Sequence, residues 1–101
     1  MDDLSAIQRD ILVMTQALGG ASGVEIYEEL NTKLLFEVNE GRFYANLNKL
    51  SNMGMIVKER VDGRENKYRA AKRGRRAMHN YFDWVSDSLE FVDVGPTPIE
   101  T

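Results

Sequence analysis

The sequence predicts an α+β domain of three helices, a β-hairpin and a closing helix. Apolar residues recur at helical spacing in four separate runs, and between the third and fourth lies MIVKERV, a β-branched segment followed by the turn formers DGREN and then KYRA. At 101 residues the chain accommodates one domain with one core, which excludes a second large domain. With 43% hydrophobic and 29% charged residues, two prolines and no low-complexity run, it has the composition of a folded globular chain.

Ser5 followed by Gln8 has capping-box spacing, in which each side chain satisfies a free backbone donor at a helix start. Ile7, Ile11, Leu12, Met14 and Leu18 then mark the apolar stripe of the first helix, and Gly19-Gly20 ends it. Ser22 and Glu25 repeat the capping spacing. Val24, Ile26, Tyr27 and Leu30 therefore read as a short second helix that stops at Asn31 to Lys33, with Leu34, Leu35 and Phe36 in a connector. Asn39 is a good N-cap for a third helix from Glu40 to Met53, closed by Gly54 as a left-handed residue. Phe43, Leu47 and Leu50 form its buried stripe. At about 100° per residue, Gly41, Arg42, Ala45, Asn48, Lys49 and Asn52 project on the far side, which is polar and basic. The last helix spans residues 72–90, with a broad stripe of Met78, Tyr81, Phe82, Val85 and Leu89, and residues 91–101 read as a flexible tail.

The formal net charge of −3 conceals a strong segregation. Residues 1–41 carry two bases against eight acids, residues 42–79 eleven bases against three acids, and residues 80–101 five acids and no base. Such separation within one small domain predicts a positive face aimed at an anion, with acid elsewhere keeping the surface hydrated. The absence of cysteine excludes disulfides, thiolate nucleophiles, Cys-type zinc clusters and thiol redox sensing. The longest uncharged stretch, Ile11 to Val24, is interrupted by Thr15, Gln16 and two glycines, which makes it too short and too polar to span a membrane. The acidic opening MDDLSA lacks secretory character, so the expected location is cytoplasmic, with no membrane partner. His79, the single histidine, has no cysteine beside it, and Asp83 with Asp87 supplies only two carboxylates. Neither makes a metal or nucleophilic site, so no cofactor and no enzymatic activity are expected.

Three helices, a hairpin and a terminal helix, the third helix basic on its exposed side, is the order of a winged helix-turn-helix. Residues 1–71 would form the DNA-binding domain and 72–90 a C-terminal dimerisation helix. In that context the run EVNEGRFYANLNKLSNMGMI, then KYRAAKRGRRAM, resembles the PadR family of transcriptional regulators. The third helix of that family typically carries Gly-X-Leu-Tyr, two spaced leucines and Gly-Leu-Ile. Those positions are Gly41, Phe43, Tyr44, Leu47, Leu50, Gly54, Met55 and Ile56 here. The opening LSAIQRDIL is similar to the haloarchaeal branch, and the resemblance spans Leu4 to Glu90, including Tyr68-Arg69 at the end of the wing. Ala71 stands where the family often has a threonine cap, and the last helix is short, as in compact members. The resemblance implies a sequence-specific regulator, a repressor that binds a pseudo-palindromic promoter operator as a homodimer. It also implies work in concentrated salt, where counterion release contributes little and inorganic ions join direct contacts at the DNA interface.

Arg42 lies in the first turn of the third helix, from which a guanidinium reaches guanine O6 and N7 or a phosphate; the competing reading is a solvated surface arginine. Asn39, Asn46, Asn48 and Lys49 are the other polar candidates for double-stranded DNA, although Asn39 is equally well explained as a cap and Asn46 sits on the flank of the stripe. Tyr44 has a ring to pack against the second helix and a hydroxyl for a phosphate; a purely core tyrosine is the competing reading. Arg60, Arg64, Lys67 and Arg69 lie on or beside the hairpin, as sequence-independent phosphate contacts. Lys72, Arg73, Arg75 and Arg76 open the last helix, where cations oppose the helix dipole; phosphate binding by residues such as Arg73 is the simplest explanation of their place, and pairing with the acids of the second helix is the alternative. Met78, Tyr81, Phe82, Trp84, Val85 and Leu89 form an expected dimer interface, to which the family resemblance adds Leu4, Ile7 and Ile11 of the first helix. Two other readings stand beside this one. One is a winged-helix module that binds protein, which does not need eleven bases between Arg42 and Arg76. The other is a ligand-gated regulator with a pocket near Trp84 between subunits.

Overall fold

The computed structural model describes residues 4–63 and 65–94. Its elements are α1 (Ala6–Leu18), β1 (Ala21–Ser22), α2 (Gly23–Leu34), α3 (Glu40–Asn52), β2 (Ile56–Arg60), β3 (Asn66–Ala70) and α4 (Lys72–Val94). Both capping boxes form. Ser5 N–H donates to Gln8 Oε1 (3.0 Å) and Gln8 N–H to Ser5 Oγ (3.3 Å). Ser22 N–H donates to Glu25 Oε1 (2.8 Å) and Glu25 N–H to Ser22 Oγ (3.1 Å). Each pair satisfies donors that a first turn leaves without carbonyl partners. Asn39 Oδ1 accepts from Arg42 N–H (2.8 Å) to open α3, and Gly54 follows that helix at φ 78°.

The core is built where the stripes of three helices meet. Ile11 and Leu12 of α1, Ile26 and Leu30 of α2, and Phe43, Leu47 and Leu50 of α3 are fully buried together with Met55. The sheet, in the order β1-β3-β2 and antiparallel throughout, closes one side with Ile56, Tyr68 and Ala70. This is the winged helix-turn-helix arrangement, with β2 and β3 as the wing. The register pairs Ile56 with Ala70, Lys58 with Tyr68 and Arg60 with Asn66. Since side chains alternate along a strand, Lys58 and Arg60 extend the face that carries Ile56 and Tyr68, while Val57, Glu59, Lys67 and Arg69 occupy the other.

The hairpin hands the chain to α4 through close backbone packing. Ala71 N–H donates to the Met55 carbonyl (2.8 Å), and Arg75 Nη1 to the Ala70 carbonyl (2.8 Å). Gly74 passes so near that a Cβ there would overlap the Met55 oxygen. Only glycine permits that approach.

Several boundaries and burials differ from the sequence expectation. The third strand, β1, was not foreseen, because a two-residue element has no readable alternation and exists only through pairing with β3, of which Ala21 faces Tyr68. α2 continues to Leu34, and Leu35 follows in the left-handed region at φ 62°, its N–H donating to the Asn31 carbonyl (3.0 Å). That conformation costs a leucine about 1–2 kcal/mol. It is held by bonds that fix the following turn, since Val38 N–H donates to Asn31 Oδ1 (2.7 Å) and Tyr27 OH to the Val38 carbonyl (2.6 Å). α4 runs to Val94 rather than stopping at residue 90, so the expected tail loses its first residues to helix. Residues 95–101 lie outside the described ones. Leu18 and Val24, expected to be buried, are exposed. Leu4 and Ile11 belong to the protomer's own core, which removes them from any surface that a second copy meets. No helix among the described residues is long and apolar enough to cross a membrane.

Candidate nucleic-acid interface

Burial of Phe43, Leu47 and Leu50 decides which side of α3 faces the core and so which side is presented outward. Arg42, Asn48 and Lys49 are exposed, and none of their side chains makes a hydrogen bond or ion pair with another described residue. Asn39 is exposed too, but its carboxamide oxygen is engaged as the cap. Asn46 behaves otherwise. Its Nδ2 donates to the Arg42 carbonyl (2.9 Å) and its Oδ1 accepts from Gln8 Nε2 (2.9 Å), so it is tied to its own helix and to α1 rather than offered outward.

Tyr44 is half-buried. Its ring meets Phe43 edge-on with centroids 4.9 Å apart and stacks on Tyr27 at 6.5 Å. A Cβ on Gly23 would come within 2.8 Å of its Cε1, so the N-terminus of α2 closes over the ring. Desolvation, with help from Glu40, holds the phenol above its ordinary pKa of 10.0. The hydroxyl is thus a neutral donor at physiological pH, beside a shallow depression lined by Ser22, Val24, Asn66 and Tyr68 together with the carboxylates Glu25 and Glu65.

The wing divides its cations between two faces. Arg69 forms an ion pair with Glu59 (3.3 Å) on the face away from the core. Lys67 lies opposite Ser22 in a depression with Glu25, Glu28 and Glu29. Its charge helps to lower the Glu25 pKa, whose main cause is the Ser22 backbone hydrogen bond. Both cations therefore have acidic neighbours already, which the linear order of charges did not reveal. Arg60 is exposed on the opposite face, and so is Lys58, which the sequence reading passed over. Two-residue alternation from Ile56 was the signal available for it. Arg73 is exposed near the start of α4, and Arg64 lies outside the described residues.

At the other end of the molecule, Phe82, Trp84 and Leu89 on α4 are 65%, 66% and 59% exposed. Ile7 and Met78 are partly buried against the core. Arg9 sits over the Tyr81 ring at 4.7 Å, and Tyr81 stacks on Trp84 at 6.1 Å. Between α1 and α4 runs a groove of about 500 Å³ walled by Val13, Met78, Tyr81, Phe82 and Val85, with Arg9, Asp10 and His79 among its polar groups. Trp84 does not line it.

The sequence profile described as the transcriptional regulator PadR-like family matches residues 11–80. RosR of Halobacterium salinarum, in crystals grown from NaBr, is 33% identical and superposes with a TM-score of 0.79 over 86% of this chain and 78% of that one. A complex of RosR matches at 32% identity and a TM-score of 0.77, over 91% of this chain and 88% of that one. A MarR mutant from E. coli complexed with operator DNA shares the fold, at 19% identity and a TM-score of 0.74 over 87% of this chain and 60% of that one. No curated protein matches the sequence. With the profile covering more than half of its length and its exposed, basic third helix in the matched region, the chain belongs to the PadR-like family of transcriptional regulators.

Proposed function

We propose that this regulator binds double-stranded DNA as a homodimer, reading a pseudo-palindromic promoter operator with α3 of each copy and repressing by occlusion. The observation that carries the reading is the sidedness of α3: an apolar stripe wholly buried, and opposite it the exposed Arg42, Asn48 and Lys49, whose side chains bond to no other described residue. A helix of this size enters the major groove, where an arginine pairs bidentately with guanine and an asparagine with adenine. Arg60, Lys58 and Arg73 supply phosphate contacts, and the neutral Tyr44 hydroxyl donates to another. Lys67 and Arg69 contribute less, because their acidic neighbours already compensate them. The exposed Phe82, Trp84 and Leu89 support a partner copy packed along α4. Two α3 helices related by a two-fold axis then meet half-sites about 34 Å apart, one turn of DNA. The likeness to RosR and a sequence pI of 5.1 support action in concentrated salt, with inorganic ions at the DNA interface.

The deciding experiment is retention of genomic DNA fragments by the purified protein at low and at multimolar salt, followed by sequencing. Enrichment of a short inverted repeat, lost in Arg42→Ala, is the expected result. Retention of nothing at either salt rejects the reading and turns the search to a protein partner. The groove between α1 and α4 favours a second reading, a regulator gated by a small apolar ligand. Tryptophan fluorescence that stays unchanged through a broad metabolite screen counts against it, because Trp84 stacks on the Tyr81 that lines the groove.

A further inference from the structure

Gln8 is held at both ends of its carboxamide. Oε1 accepts from Ser5 N–H, closing the cap of α1 (3.0 Å), and Nε2 donates to Asn46 Oδ1 on α3 (2.9 Å). Asn46 then donates through Nδ2 to the carbonyl of Arg42, one turn earlier (2.9 Å). A continuous run of hydrogen bonds therefore joins the start of α1 to the backbone of the residue that heads the exposed face of α3. The core residues that these two helices share, Ile11 and Leu12 with Phe43, Leu47 and Leu50, are all apolar.

Apolar packing is non-directional, so it fixes which face of a helix is buried more firmly than the last few degrees of rotation about the helix's own axis. A turn of about 10° about that axis moves a side chain about 6 Å from it by about 1 Å. That displacement breaks a bidentate pair with a base edge, whose bonds tolerate only a few tenths of an ångström. A hydrogen bond between two half-buried carboxamides resists such a turn, because it weakens steeply with angle.

We propose that Gln8 and Asn46 are positioning residues that set the rotation of α3 and through it the discrimination between DNA sequences, and that Asn46 touches no base. The inference rests on the DNA-reading role given above. It assigns specificity to a residue on α1 that the sequence marks only as a cap, and it moves Asn46 from the contact surface to the support behind it.

Three variants test it. Gln8→Glu keeps the cap on Ser5 but removes the Nε2 donor. Asn46→Leu removes both Asn46 bonds, introduces a better helix former and extends the apolar stripe. The third variant carries both changes. Each is compared with the wild type for affinity to the enriched inverted repeat, affinity to a scrambled duplex of the same length, and Tm. The expected result is a loss of preference for the repeat of about threefold to tenfold, the worth of one hydrogen bond, in either single variant. The double variant loses no more, the scrambled duplex binds as before, relaxed preference spreads over several base positions, and Tm is maintained. If Asn46→Leu relaxes one base position while Gln8→Glu changes nothing, Asn46 is a direct contact and the inference is overturned. It is equally overturned if the two effects add, if both duplexes weaken in parallel with a falling Tm, or if the variants keep the wild-type preference; in these cases DNA reading stands. A wild type that does not distinguish the two duplexes removes both.

Discussion

Arg42 and Asn46 stand one turn apart on the same helix and differ in their surroundings. Arg42 is exposed and its side chain bonds to no other described residue, so on the proposed reading its removal leaves the fold alone and falls on DNA recognition. Arg42→Ala should lower affinity for the preferred sequence by about 1–3 kcal/mol in a fluorescence anisotropy titration. Its Tm should match the wild type, since exposed substitutions of this kind change stability within about 0.5 kcal/mol. Glu25 makes a separate prediction. The Ser22 backbone hydrogen bond holds its carboxyl below the ordinary value of 4.5, so the folded state favours the ionised form. That contribution is fully present above pH 4.5 and is lost as pH falls through the lower folded value. A series of Tm measurements from pH 6 down to pH 3 should show a shallower acid decline for Glu25→Gln, whose amide still accepts from Ser22.

At the level of elements, Gly74 at the junction of β2, β3 and α4 has the closest approach to a neighbour of the described glycines. Alanine in place of Gly74 gains about 1 kcal/mol of helix propensity, but its Cβ meets a backbone oxygen that cannot rotate away. The clash wins, as overpacking costs about 1–3 kcal/mol, and Tm should fall by about 4–8 °C for each kcal/mol of net loss. Gly63→Ala in the hairpin turn is the control, because a Cβ there meets nothing within 4 Å; its Tm should stay near the wild type in the same calorimetric scan. The wing also shows why charge order misleads at this scale. Arg69 and Lys67 read as free cations along the chain, yet strand pairing sets them near Glu59 and the acids of α2. Lys58, with no such emphasis in the sequence, lies beside Arg60 on the other face.

For the whole molecule, the proposed dimer rests on the exposed apolar residues of α4. Changing Phe82 and Trp84 together to aspartate should convert dimer to monomer in light scattering, with the helical circular dichroism retained, because both side chains lie outside the core. The same variant should lose affinity for a two-half-site operator while keeping the weak affinity of one half-site. A variant that remains dimeric would move the interface elsewhere. Leu4 and Ile11 illustrate what assembly cannot use: apolar residues on α1 look alike in the sequence, and only packing separates those enclosed by the protomer from those left for a partner.

The sequence by itself determined the order of the four helices and the hairpin, both capping boxes, the buried stripe of α3 and the basic polar side opposite it, because caps and helical periodicity are local and short-range chemistry suffices to form them. It also carried the family, through residues spread along a matched span from 11 to 80. Only the tertiary structure decided which polar residues remain available. Asn46 and Asn48 are the same amino acid two positions apart, and one is bonded to Gln8 across 38 residues while the other's side chain bonds to no described residue. The strand β1, the compensation of Lys67 and the contact of Gly74 with Met55 likewise depend on pairing between distant segments. Such contacts form when the core closes, and no local pattern encodes which partners it will bring together.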